Sequence, residues 1–135
     1  LTVDQADAFL AEAWDRFHEH LADEAPTLPF TVLLHGVVDE ESDGPMEAII
    51  GWPEGVAIPA GMVVREEPAH DEARTAVTKA QWDYPAILAA YDAVARSAAV
   101  ASRPGSPLAC REVYLADPRA VGPDEQVCEV AFPLA

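Results

Sequence analysis

The sequence has 135 residues, 50% of them hydrophobic, and carries 8 Lys+Arg against 24 Asp+Glu, a formal net charge of −16. That much apolar material is enough for one packed core, so residues 1–135 are expected to form a single domain, while the charge would repel phosphate backbones and anionic lipid and so argues against nucleic-acid and membrane partners. No apolar run approaches the roughly 20 residues that span a bilayer and no charged-then-apolar leader is seen, which makes a soluble, acidic, cytoplasmic protein the expectation.

In chain order, Thr2 and Gln5 have capping-box spacing, and Phe9, Leu10, Ala13, Trp14, Phe17 and Leu21 recur at helical steps between acidic positions. An amphipathic helix over residues 3–24 follows, stopped by Pro26 and Pro29. Residues 30–38 read as a strand that ends in the acidic turn Asp39-Glu40-Glu41-Ser42-Asp43-Gly44, and residues 46–52 read as the returning strand of a hairpin. Pro53, Gly55, Pro59 and Gly61 punctuate a loop. Two further strand segments, 62–67 and 73–79, are expected on either side of a break at Pro68.

Asp83-Tyr84-Pro85 opens a second helix, whose buried stripe is Ile87, Leu88, Tyr91, Val94, Ala95 and Ala98 and which ends before Arg103-Pro104-Gly105. Residues 109–115 form a strand, 117–124 a turn region, and 126–132 a last strand closed by Pro133. Both halves thus place a helix before an antiparallel hairpin, and both hairpins finish on an aromatic followed by proline, Trp52-Pro53 and Phe132-Pro133. The pattern predicts an α+β fold of duplicated β-α-β-β units: a curved antiparallel sheet, two helices flanking a ligand groove, and a first strand missing before Leu1.

Few residues suggest metal or redox chemistry. Cys110 and Cys128 are expected to be free thiols, and His18, His20, His35 and His70 to be solvated or hydrogen-bonded rather than metal ligands. The acidic turn at 39–43 lacks the spacing of a calcium loop, and Glu47 and Glu129 read as solvated or structurally hydrogen-bonded carboxylates. Nucleophile elbows, phosphate-cradling glycine loops and Ser/His/Asp sets are not seen, so no cofactor is expected.

The segment Cys110-Arg111-Glu112-Val113-Tyr114-Leu115-Ala116-Asp117-Pro118, followed by Cys128-Glu129-Val130-Ala131-Phe132-Pro133, resembles the C-terminal signature of GyrI-like (gyrase-inhibitor-like, AraC-type effector-binding) domains. The stretch from Gly44 to Pro53 is similar to that family's first hairpin, and Glu67-Pro68-Ala69 to its mid-chain strand break. One departure stands out: many relatives open the second helix with His-x-Gly-x-Tyr, where this chain has Lys79-Ala80-Gln81-Trp82-Asp83-Tyr84-Pro85, so the cleft entrance is rebuilt around a bulkier indole. The resemblance implies effector sensing for a transcription regulator, with a DNA-binding region elsewhere in a longer chain, or stand-alone multidrug recognition. In a minority of relatives it implies hydrolysis of strained cyclopropane rings in DNA-alkylating natural products.

On a strand Cys110, Glu112 and Tyr114 share one face, which the resemblance places in the groove. A carboxylate among aromatic rings loses hydration unless paired, which favours cationic, donor-bearing or planar aromatic hydrophobic ligands held by Glu112, Trp82, Tyr91, Tyr114 and Trp14. As a hydrolase the chain would rely on Glu112 and Tyr114 for general acid–base chemistry, with Tyr84 or Tyr91 as alternative partners. Taken without the resemblance, Glu112 is a surface carboxylate, Tyr91 and Trp14 are core aromatics, and the charge suits an inhibitor that engages a basic partner.

Overall fold

A computed structural model describes residues 1–103 and 106–135. The chain forms α1 (Val3–Leu21), β1 (Thr31–Leu34), β2 (Met46–Ile49), β3 (Asp71–Thr78), α2 (Lys79–Trp82), α3 (Leu88–Ala95), α4 (Ala98–Ser102), β4 (Cys110–Tyr114) and β5 (Gln126–Leu134). The fold is α+β, with one open antiparallel sheet in the order β2-β1-β4-β5-β3.

Register decides what each face of the sheet carries. Ala48, Val32, Glu112, Val130 and Thr75 lie in one cross-strand row, and Glu47, Leu33, Arg111, Ala131 and Arg74 in the next, facing the opposite way. Phe30, Val32, Val77, Tyr114, Cys128 and Val130 form the core on the first face. Leu10, Ala13, Trp14 and Phe17 of α1 pack against it together with Ala90, Tyr91 and Val94 of α3, so both helices cover that face.

Several boundaries differ from expectation, each for a local reason. Helix α1 stops at Leu21 rather than residue 24: Ala22 adopts φ 50°, and its N–H bonds back to the His18 carbonyl. The first hairpin is shorter at both tips, although Phe30 stays in the ladder by accepting from Tyr114 N–H at 2.8 Å. The expected second helix is two short pieces, α3 and α4, which begin at Leu88 rather than at Asp83-Tyr84-Pro85, and the end of the expected 73–79 strand gives way to the separate turn α2. Thr78 and Gln81 cap the single turn α2, and Ser97, with extended backbone, ends α3 and caps α4 through its hydroxyl. Of its expected stripe Ile87 and Val94 are buried, but Leu88 and Ala95 are exposed. The Pro104-Gly105 stop and the Ala98 side chain lie outside the described residues.

Pro133 lies inside β5, opposite Glu72, rather than closing the strand. Strand β4 has ended by then, which leaves one side of β5 open and accommodates a residue without an N–H.

Residues 62–67 are not a strand either. Val63 is 91% exposed, and the segment is tied to the second face of the sheet by charge instead of by a ladder. Arg65 bonds Glu47 at 2.9 Å, and Glu67 bonds Arg111 at 3.0 Å. Arg111 is buried. Its Nε donates to the Ala109 carbonyl at 3.2 Å, while Nη2 has no partner among the described residues.

That geometry makes the pair asymmetric. Glu67→Ala strands a buried guanidinium and should cost roughly 1–3 kcal/mol, whereas Arg111→Met keeps the apolar stem, removes the orphan donor and should cost less. Denaturant unfolding of the two variants checks this ordering.

Candidate functional site

The β4 strand carries the only carboxylate of the core-facing row, Glu112, between Val32 of β1 and Val130 of β5. Two phenols satisfy it. Tyr91 Oη, from α3, donates to Glu112 Oε2, and Tyr114 Oη, two residues along β4, donates to Oε1 at 2.7 Å. Tyr114 Oη in turn accepts from Trp82 Nε1 at 2.9 Å. A single chain of donors therefore runs from the α2 indole through a buried phenol to the carboxylate, with a second phenol closing it from α3.

Desolvation raises the Glu112 pKa above the ordinary carboxylate range, opposed by the hydrogen bonds from Tyr91 and Tyr114. Both phenols are themselves pushed upward, first by desolvation and then by the Glu112 charge, so they stay protonated donors at neutral pH. Cys110 and Cys128 are free, and burial raises both thiols, which disfavours the nucleophilic thiolate. Tyr114 is the register partner of Cys128 and lies four residues beyond Cys110, too far along the ladder for the two sulfurs to meet.

Beside this network a cavity of about 360 Å³ opens between α1, α2 and the end of β4. Trp14, Leu10 and Phe30 line it from one side, and Trp82 and Tyr114 from the other. The volume and the apolar, aromatic lining suit a small ligand. Three of the five expected ligand residues, Trp14, Trp82 and Tyr114, thus line one cavity. Glu112 and Tyr91 do not line it; they sit behind Tyr114, and Glu112 reaches the cavity wall through that hydroxyl. Tyr84 has no hydrogen bond to Glu112 and lies toward Asp39 and Glu40, whose charges add to desolvation in raising its pKa.

The cavity mouth is charged on both sides. Arg119 bonds Asp15 of α1 at 2.7 Å and Asp117 at 3.0 Å, holding both carboxyls below their ordinary range. Lys79 Nζ stands 4.1 Å from the centre of the Trp82 ring, and Asp7 completes the charged lining. Sequence reasoning missed Lys79, Asp7 and Arg119. For Lys79 and Trp82 a signal existed: Thr78-Lys79-Ala80-Gln81 is a capping-box pattern that starts a turn directly after β3.

A larger depression, about 680 Å³, is lined by residues 68–71, Arg103, Ser106, Pro107, Leu108 and the end of β5, and Glu112 does not line it. It is open to solvent, and its charged residues Arg103 and Asp71 pair with each other at 3.2 Å, so the smaller aromatic cavity is the better candidate. Among the described residues no group of three His, Cys, Asp or Glu side chains is placed to hold a metal ion, and no helix is long and apolar enough to cross a membrane. No family model, curated protein or solved structure matches the chain.

The electrostatics of Glu112 carry a sign. The folded state holds its proton more tightly than the unfolded chain, so its contribution to stability is full below the unfolded carboxyl pKa of about 4.3 and is lost as pH rises through the higher folded value. Glu112→Gln cannot ionise, and its amide can accept from Tyr114 and donate to the Tyr91 oxygen. Thermal unfolding should therefore show the variant gaining on the parent as pH rises from 4 to 8; a gap independent of pH would place the carboxyl in ordinary solvation.

Proposed function

We propose that the chain is a small-molecule-binding domain of the GyrI-like type, spanning residues 1–135 as one unit and taking a hydrophobic cationic, donor-bearing or planar aromatic ligand. The observation that carries this reading is the aromatic cavity walled by Trp14, Trp82 and Tyr114, with Glu112 coupled to it through the Tyr114 hydroxyl. A ligand donor arriving at Tyr114 meets a hydroxyl already polarised by a carboxylate, and a ligand cation meets aromatic faces in a partly desolvated setting.

The strand order supports the duplicated design. The unit α1-β1-β2 and the unit from β3 to β5 meet at the central β1–β4 pair, with β2 and β5 as equivalent neighbours on either side. An additional strand before α1 would belong beside β2, as β3 belongs beside β5. The domain would act as the effector-sensing or multidrug-binding part of a regulator, or alone, in the cytoplasm, without direct contact to nucleic acid or membrane.

One observation favours a second reading, the ring-opening hydrolase. A carboxyl that retains its proton above the usual range, bonded to a phenol on the cavity wall, is the arrangement a general acid needs. The interaction-protein reading has only the overall charge behind it.

The test is a thermal-shift titration with 1-methylquinolinium and related planar cations on the parent chain, Trp82→Ala and Glu112→Gln. At a ligand concentration about 100-fold above Kd the parent should gain roughly 2.7 kcal/mol of apparent stability. Trp82→Ala should lose most of that gain, and Glu112→Gln should weaken cations more than neutral analogues. Mass spectrometry of each hit separates binding from turnover: an altered product, lost in Glu112→Gln, moves the chain to the hydrolase class.

A further inference from the structure

The cavity already contains a cation of its own. Lys79 and Trp82 sit three residues apart on the single turn α2, both line the cavity, and the Lys79 ammonium lies over the Trp82 ring at 4.1 Å. Three contacts fix the turn that presents them. Thr78 and Gln81 cap each other, Lys79 N–H donates to the Glu125 carbonyl at 2.9 Å, and Ala80 N–H donates to the Pro123 carbonyl at 3.0 Å. The indole is held independently by its bond to Tyr114 Oη. Backbone and ring are therefore anchored while the ammonium is held by weak contacts alone: the ring face, and Asp83 at 4.0 Å, whose carboxylate is largely exposed.

Resting on the reading of this cavity as a ligand site, we propose that Lys79 is its specificity-determining residue, a tethered cation that fills the subsite over Trp82 which a cationic ligand would use. A flat neutral ligand that shares the cavity with the ammonium meets no repulsion of charge from it. A cationic ligand has to expel the ammonium toward Asp83 and solvent, forfeiting one cation–aromatic contact to make another and meeting like charge while it does so. The chain therefore discriminates against cations that lack further apolar contacts, with the carboxylates of Asp7 and Asp117 at the mouth acting in the opposite direction.

The experiment uses an isosteric pair of probes, 1-methylquinolinium and 1-methylnaphthalene, titrated into the parent chain, Lys79→Met and Lys79→Gln. Binding is followed by the chemical shift of the Trp82 indole N–H. Loss of the resident cation should tighten quinolinium roughly tenfold in both variants, the scale of one partly desolvated cation–aromatic contact, and leave naphthalene within about twofold. Equal tightening of both probes overturns the proposal, since it would show that Lys79 merely obstructs. Quinolinium binding that is the same in the parent and both variants also overturns it while leaving the cavity a ligand site. Absence of binding by either probe to all three proteins overturns this proposal and the ligand-site reading together.

Discussion

A carboxylate on the middle strand of a sheet, facing the helices, is an expensive thing to keep, and much of the helical layer is arranged around it. Glu112 occupies a row whose neighbours are Val32 and Val130, where an apolar side chain would pack without penalty. The structure answers with hydroxyls from two different elements, and one of them is itself fixed by an indole from a third. Tyr91 ties α3 to this carboxyl, and Trp82 ties the end of α2 to it through Tyr114. A buried polar network of this kind specifies geometry as much as it stabilises, because each member is satisfied only in one arrangement.

The second face of the sheet meets the same problem with different chemistry. Arg111, adjacent to Glu112 in sequence and opposite to it in direction, is buried and paired with Glu67. Neighbouring residues of β4 thus anchor opposite sides of the sheet, one with a carboxyl and the other with a guanidinium. On one side the partners are neutral donors that leave a cavity beside them; on the other an ion pair clamps a loop down.

How much of this was legible in the sequence depended on the range of the interaction. The helical stripe from Phe9 to Leu21 and the alternation Cys110, Glu112, Tyr114 are local periodicities; of the stripe Leu10, Ala13, Trp14 and Phe17 pack on the core, and Glu112 and Tyr114 share the core-facing side of β4. The broken second helix was harder: Ser97 is a local cap, but the apolar run on either side of it, from Ile87 to Val100, masks the break, and the Thr78–Gln81 cap lies within residues whose alternation reads as the end of a strand. The 62–67 segment carries β-branched residues yet joins no ladder, and its end is tied by Glu67 to Arg111, 44 positions away, a partner that local spacing does not announce. The site divides in the same way. Trp14, Trp82 and Tyr114 were found as cavity walls, while the retreat of Glu112 and Tyr91 behind Tyr114 depends on register and side-chain reach, which spacing along one strand does not encode.

Arg119 has a consequence for how the cavity behaves in solution. It joins Asp15 on α1 to Asp117 after β4 across the mouth of the cavity, and its own side chain is about half exposed. Helix α1, which forms one wall, packs on the core through side chains, and its start is tied to the β1–β2 connection by Val3 N–H to the Asp39 carbonyl at 3.1 Å and Gly44 N–H to the Leu1 carbonyl at 3.1 Å, whereas at Asp15 the tie is this bridge. Exposed ion pairs weaken as dissolved ions screen them, whereas the aromatic packing of Trp14 and Phe30 does not. Added salt therefore loosens the bridge at the opening while leaving the aromatic walls behind it as they are.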